Sequence, residues 1–179
     1  VIGSPPVAKI EPGQKQLVRL TRTREVPPGQ ELAYRIIIDE IPSATAPTTE
    51  DGKTAAAIRF QMRYSVPLFA YGAGLWSKED ASRPRDPKGA GVPNLSWRTV
   101  TVDGRPYVEV RNRGAVHARL TDVALKQGSQ IRPVAEGLLG YVLPGASMRW
   151  PAPATLAGVP GLQVRVNGAP QVQSVSPAQ

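Results

Sequence analysis

The residues with the chemistry to act as nucleophile, acid or base in this sequence are few. Cysteine is absent, which excludes thiolate nucleophiles, disulfides and thiolate metal sites and leaves the redox compartment open. The single histidine, His117, excludes a His-pair zinc site. A lone imidazole beside a strand is ordinarily a surface or packing residue, so His117 receives no catalytic role. Ser4, Asp39 and Glu40 are the remaining nominees for a hydrolase. No nucleophile elbow surrounds a serine, the spacing fixes no carboxylate pair, and no histidine partners them. The reading is a non-enzymatic protein that needs no metal and no cofactor.

Patterned side chains are found elsewhere, in residues 54–71, TAAAIRFQMRYSVPLFAY. From Ile58 to Val66 the chain alternates without a break: Ile58, Phe60, Met62, Tyr64 and Val66 fall on one face, Arg59, Gln61, Arg63 and Ser65 on the other. Period two over this length predicts one long strand, apolar on one side and bearing two guanidinium groups on the other. A long apolar edge is an aggregation liability that proteins normally blunt or cover. A chain that keeps one has a use for it in pairing with another chain.

The elements that must hold this strand are short. With 179 residues the chain is one large domain or two small ones, and 19 Pro and 17 Gly divide it in a way that favours β structure. Hydrophobic residues are 41% of the total and aromatics only 6%, so the core must rest on Val, Leu, Ile and Ala. Ser4-Pro5-Pro6 is stiff and extended. Residues 7–11 and 16–21 alternate on either side of the Pro12-Gly13 turn and predict a hairpin. After the loop TREVPPGQE, residues 32–41 (LAYRIIIDEI) are nearly continuously apolar and predict a buried central strand that ends at Pro42. A Pro- and Thr-rich connection then leads to the patterned strand.

Residues 76–93 have the Pro, Gly and charge content of a linker or exposed loop. Beyond them, residues 95–102 and 107–111 alternate around Asp103-Gly104, a strong hairpin signal. Asn112-Arg113-Gly114 supplies a turn before a strand at 117–125, and further strands fit 140–143, 147–150 and 162–167. Short strands at regular spacing predict a sandwich, with the tail QVQSVSPAQ frayed or a last edge strand.

The formal charge is +8, but the cations are scattered as RLTRTR, RFQMR, RPRDPK and RNR, with no basic helix and no RNP-type aromatic motif. This argues against nucleic acid and for a solvated basic surface or an acidic protein partner. No run of about 18 apolar residues is present to span a membrane. The opening VIGSPPV lacks the basic segment and apolar core of a signal peptide, so the expectation is that targeting was removed ahead of it or never existed.

Taken in order, SPPVAKIEPGQKQLVRL, ELAYRIIIDEIP and IRFQMRYSVPLF resemble the periplasmic pilus-assembly chaperones, the PapD-like family of the chaperone–usher pathway. LSWRTVTVDGRPYVEVRNRGAVHARLTDVAL, GYVLPGASMRW and LQVRVNG are similar to the second domain of that family. The SVPLF ending and the lack of cysteine look closer to its archaic, spore-coat-like branch. The resemblance implies an all-β chain of two immunoglobulin-like β-sandwich domains, residues 1–74 forming the C-terminal part of the first and 75–179 the second. About seven strands complete such a sandwich, and fewer precede Tyr71, so the first domain is expected to be incomplete at its N-terminus.

By the same resemblance the protein binds and stabilises pilus subunits by donor-strand complementation in the periplasm and passes them to an outer-membrane usher. Ala56, Ile58, Phe60, Met62 and Tyr64 are then the donor-strand residues. Arg63, and after it Arg59, is the cation for the subunit's terminal carboxylate, although the family's position falls nearest Met62. Glu40 matches an acidic residue that pairs with an arginine just before the proline corresponding to Pro67, where this chain has Val66. The competing reading is a non-catalytic immunoglobulin-like structural or adhesive module, or a truncated and non-functional chaperone. Exposed sheet edges would make such a chain pair edge to edge as a homodimer.

Overall fold

The computed structural model describes residues 1–41, 61–75, 91–153 and 160–178, and every element in them is a β-strand. By its internal contacts the chain divides into 32–70 and the remainder, 1–31 with 71–179.

In the larger unit, β1 (Ile2–Ser4) pairs antiparallel with β2 (Arg19–Thr21), Ile2 opposite Thr21 and Ser4 opposite Arg19. The expected Pro12-Gly13 turn is present, with Gly13 at φ 79° and the Gln14 N–H donating to the Glu11 carbonyl at 3.0 Å. Residues 7–11, however, form no strand. Pro5 and Pro6 remove two successive N–H donors directly after β1, so the ladder stops there.

The smaller unit holds nearly all of β3 (Glu31–Asp39) and β4 (Arg63–Tyr71), which pair as a two-stranded sheet. β3 forms where the apolar run predicts it but is not buried: Ile37 and Ile38 are 48% and 50% exposed. Among the described residues only β4 pairs with it, and two strands cannot cover each other's faces. β4 continues through Pro67 to Tyr71, farther than the alternation predicts. Met62 and Gly72 turn their backbone groups toward Glu40 and Gln30. By the alternation of an antiparallel ladder, Pro67 turns its nitrogen, which has no proton to donate, away from β3.

The rest of the larger unit is a sandwich of β5 (Leu95–Val102), β6 (Arg105–Asn112), β7 (Ala118–Gln127), β8 (Gln130–Val142), β9 (Ser147–Pro151), β10 (Gly161–Val166) and β11 (Gln173–Pro177). Their order is β8-β7-β10-β11-β5-β6-β9. β5 and β6 form the expected hairpin in unbroken register from Leu95–Asn112 to Val102–Arg105. Asp103 and Gly104 both have positive φ, 49° and 74°, which matches the twist of the flanking strands. β8 begins ten residues before the expected 140, after a tight turn from β7. Its Pro133 and Gly137 break the alternation and hide the strand in the sequence, yet both are tolerated because β8 is last in the sheet order. The tail is not an edge: β11 pairs antiparallel with β10 and parallel with β5, joining the two halves of the sandwich.

The core follows from strand parity. Trp97, Val108, Val110, Leu162 and Val164 point inward at every second position. On β7 the parity changes, from Ala118 and Leu120 to Val123 and Leu125, across a bulge at Asp122, whose φ is 51°. Each fully buried Val or Leu contributes about 1.5–3 kcal/mol. Asn112 is fully buried and has every polar position satisfied. Its Oδ1 accepts the Gly114 and Asn94 N–H groups at 2.9 and 3.2 Å, and its Nδ2 donates to the Val116 and Val142 carbonyls at 2.8 and 3.1 Å. The same turn needs glycine at 114, where a Cβ would lie 2.5 Å from the Asn94 nitrogen.

Candidate functional site

The entry to β4 is the described part of the patterned strand. Met62 and Tyr64 share one face, the Tyr64 hydroxyl donating to the Met62 Sδ at 3.4 Å, and both are about half exposed. The alternation puts Arg63 and Ser65 on the other face. Arg63 meets Asp39 in a bidentate pair, Nε to Oδ1 at 2.5 Å and Nη2 to Oδ2 at 3.0 Å. Ser65 accepts a hydrogen bond on Oγ from Arg35 Nη1 at 2.9 Å. The Arg63 hydrogen bond holds the Asp39 carboxyl below its usual range, and Asp39 in turn raises the guanidinium. Both side chains are well exposed, so water screens the pair and it contributes little to stability.

Glu40 holds the start of the strand. Its N–H donates to the Met62 carbonyl at 3.0 Å, and its Oε2 accepts the Met62 N–H at 3.1 Å. The Gln61 side-chain amide donates to the Glu40 carbonyl at 2.9 Å. Glu40 thus fixes where Met62 and Arg63 emerge. Ala56, Ile58, Arg59 and Phe60 lie outside the described residues. Pro67 stands mid-strand and partly buried.

Two arrangements escaped the reading from sequence. Asp39, by residue type a hydrolytic nominee, is the partner of Arg63. His117 is 7% exposed and bound to Glu31, whose side chain is fully buried. Glu31 accepts the His117 N–H on both oxygens, at 3.0 and 3.1 Å, and faces Nδ1 at 2.8 Å. The rings of Tyr71 and Tyr141 flank the imidazole at 6.4 and 5.8 Å. With Glu31 and His117 86 positions apart, no local pattern announces the pair. Among the described residues, no group of three His, Cys, Asp or Glu side chains could hold a metal ion.

The fold defines a class: an all-β chain of immunoglobulin-like sandwich architecture. Residues 1–75 match the family of pili and flagellar-assembly chaperones, PapD N-terminal domain. The whole chain is similar to a chain of the CsuC–CsuE chaperone–tip adhesion subunit pre-assembly complex, from the archaic chaperone-usher Csu pili of Acinetobacter baumannii. That match has 29% identity and a TM-score of 0.73, covering 99% of this chain and 74% of the other. The CupB2 chaperone of Pseudomonas aeruginosa shares the fold at 18% identity and a TM-score of 0.60, with 99% and 74% covered. No curated protein matches the sequence. These findings bear out the resemblance to the PapD-like pilus chaperones and the two-domain immunoglobulin-like, all-β fold.

Proposed function

We propose that this protein is a chaperone of a chaperone–usher pathway, which binds pilus subunits and stabilises them by lending a strand. The observation that carries this reading is the match over nearly the whole chain to a chain of a chaperone–subunit complex, joined to a family match over residues 1–75. On this reading residues 1–74 belong to the first sandwich and 75–179 to the second. Ala56, Ile58, Phe60, Met62 and Tyr64 enter the open groove of a subunit. Backbone hydrogen bonds along the strand give affinity, and the alternate side chains give specificity. The working compartment is the periplasm, and the loaded subunit passes to an outer-membrane usher.

Arg63 is the preferred anchor for the subunit's terminal carboxylate, with Arg59 the alternative. Asp39 occupies the bidentate face of Arg63 with the same chemistry that a subunit carboxylate would present. Binding then exchanges one carboxylate for another on a guanidinium already oriented. Co-expression with a pilin of the same pathway tests this. Wild type and Asp39→Asn retain the subunit through purification, Arg63→Ala weakens capture by about tenfold as a charge-assisted pair is lost, and Ile58→Asp with Phe60→Asp abolishes it. Equal capture by the Ile58→Asp/Phe60→Asp protein would leave only a structural or adhesive module.

A further inference from the structure

A second group of arginines lies on the sandwich, on the outer face of β5, β6 and β9. Val108 and Val110 of β6 point into the core, so Glu109 and Arg111 point outward. Cross-strand register sets Arg98, Glu109 and Arg149 in one row, and Ser96, Arg111 and Ser147 in the next. Glu109 is only 5% exposed despite facing outward, because the two arginines beside it close over it. Its Oε1 accepts Arg98 Nε–H at 2.6 Å and its Oε2 accepts Arg149 Nε–H at 2.5 Å.

Glu109 takes one donor from each guanidinium, and each carries five. Among the described residues neither Arg98 nor Arg149 makes another side-chain hydrogen bond, so each keeps its Nη edge for an outside acceptor. Arg111 and Arg113 make no ion pair or side-chain hydrogen bond among the described residues. Together these groups line an open depression of about 230 Å³ with an excess of three positive charges. In its wall the Ser96 Oγ is shielded from solvent and has no hydrogen-bond partner among the described residues.

We propose that this face is an oxyanion site that takes the carboxylates of an acidic segment of a protein partner. The flat Nη edges suit bidentate pairing with carboxylates, and Glu109 is the positioning residue that sets two of them in advance. Phosphate sites are ordinarily cradled by main-chain N–H groups at a helix start or a nest, whereas this surface is the side-chain face of a sheet. A nucleic-acid strand would call for a longer basic track with aromatic platforms. The site lies on β5, β6 and β9 and is independent of whether β4 and the residues before it are lent to a subunit.

The test is binding of fluorescent hexaglutamate to the whole chain at low salt. Wild type binds, the Arg111→Ser/Arg113→Ser protein binds about tenfold more weakly or worse, and the Arg105→Ser/Arg132→Ser control, which loses the same charge from exposed positions on β6 and β8, binds as wild type. Should the serine variant not melt as a folded protein, Arg111→Lys/Arg113→Lys keeps the charge and still weakens binding by losing the bidentate geometry. Equal losses in test and control variants would reduce the effect to net charge and overturn the proposal, as would no binding. Inorganic phosphate binding as tightly as the peptide would overturn the assignment to an acidic segment.

Discussion

Glu109 and Glu31 are both carboxylates removed from solvent, and they have different consequences. The hydrogen bond from Arg149, then that from Arg98, holds the Glu109 carboxyl below its usual range, while burial opposes them. A carboxyl lowered in the folded state stabilises the fold fully above its unfolded value, about 4.3, and that contribution is lost as pH falls through the lower folded value. Thermal melting from about pH 5 down to 2 should therefore show a loss of stability that Glu109→Gln flattens. An unchanged acid profile in the variant would contradict the assignment. Glu31 acts through hydrogen bonds. Glu31→Ala removes the buried carboxylate that accepts the His117 N–H and faces its ring Nδ1, a loss of about 1–3 kcal/mol by denaturant unfolding. Neither carboxylate was legible as a partner in the sequence, because each meets its cations or imidazole across strands whose register only the fold decides. Arg63 was legible as the cation of the patterned strand, but its carboxylate was not. Asp39 and Glu40 adjoin in sequence and face different groups, which a reading by residue type does not separate.

At the scale of the element, what the sequence revealed depended on how strictly a strand keeps its period. β5 and β6 were legible to the residue at their turn, since unbroken alternation and Asp103-Gly104 agree on one hairpin. β8 was legible only at its end, because Pro133 and Gly137 interrupt a strand that its terminal place in the sheet allows. β3 was recognised as a strand, but an apolar run reports the cover it is suited to and not the cover it has. β11 reads in the sequence as a frayed tail or an edge, since five residues with one buried apolar side chain carry no period of their own. Its position between β10 and β5 gives it a larger part in the sandwich than its length suggests. Val175 is 6% exposed within the core, so Val175→Ala should cost about 1–3 kcal/mol of unfolding free energy. A cost near zero would mean that β11 detaches without disturbing the core.

At the scale of the molecule, the two units differ in how they manage apolar surface. The sandwich of β5 to β11 closes over a core of Val, Leu and Trp. The sheet of β3 and β4, with Met62 just before it, leaves Ile37, Ile38, Met62, Tyr64 and Val66 exposed. Exposed apolar residues on a sheet of two strands favour pairing with another chain, which is the chemistry the proposed strand-lending chaperone needs. The architecture was foreseen because ordered blocks of sequence carried the family resemblance across the chain. The partner and the compartment have no such blocks, since they depend on surfaces that complement other molecules.

The central claim is that this chain lends the strand around residues 54–66 to a subunit, and backbone amide hydrogen exchange of the protein alone and in complex with a pilin tests it most directly. The account predicts strong new protection at alternate amides within 54–66, where the lent edge pairs, with little change in β7, β8 and β10. Protection confined to other strands, with 54–66 exchanging as fast in the complex as alone, would contradict it.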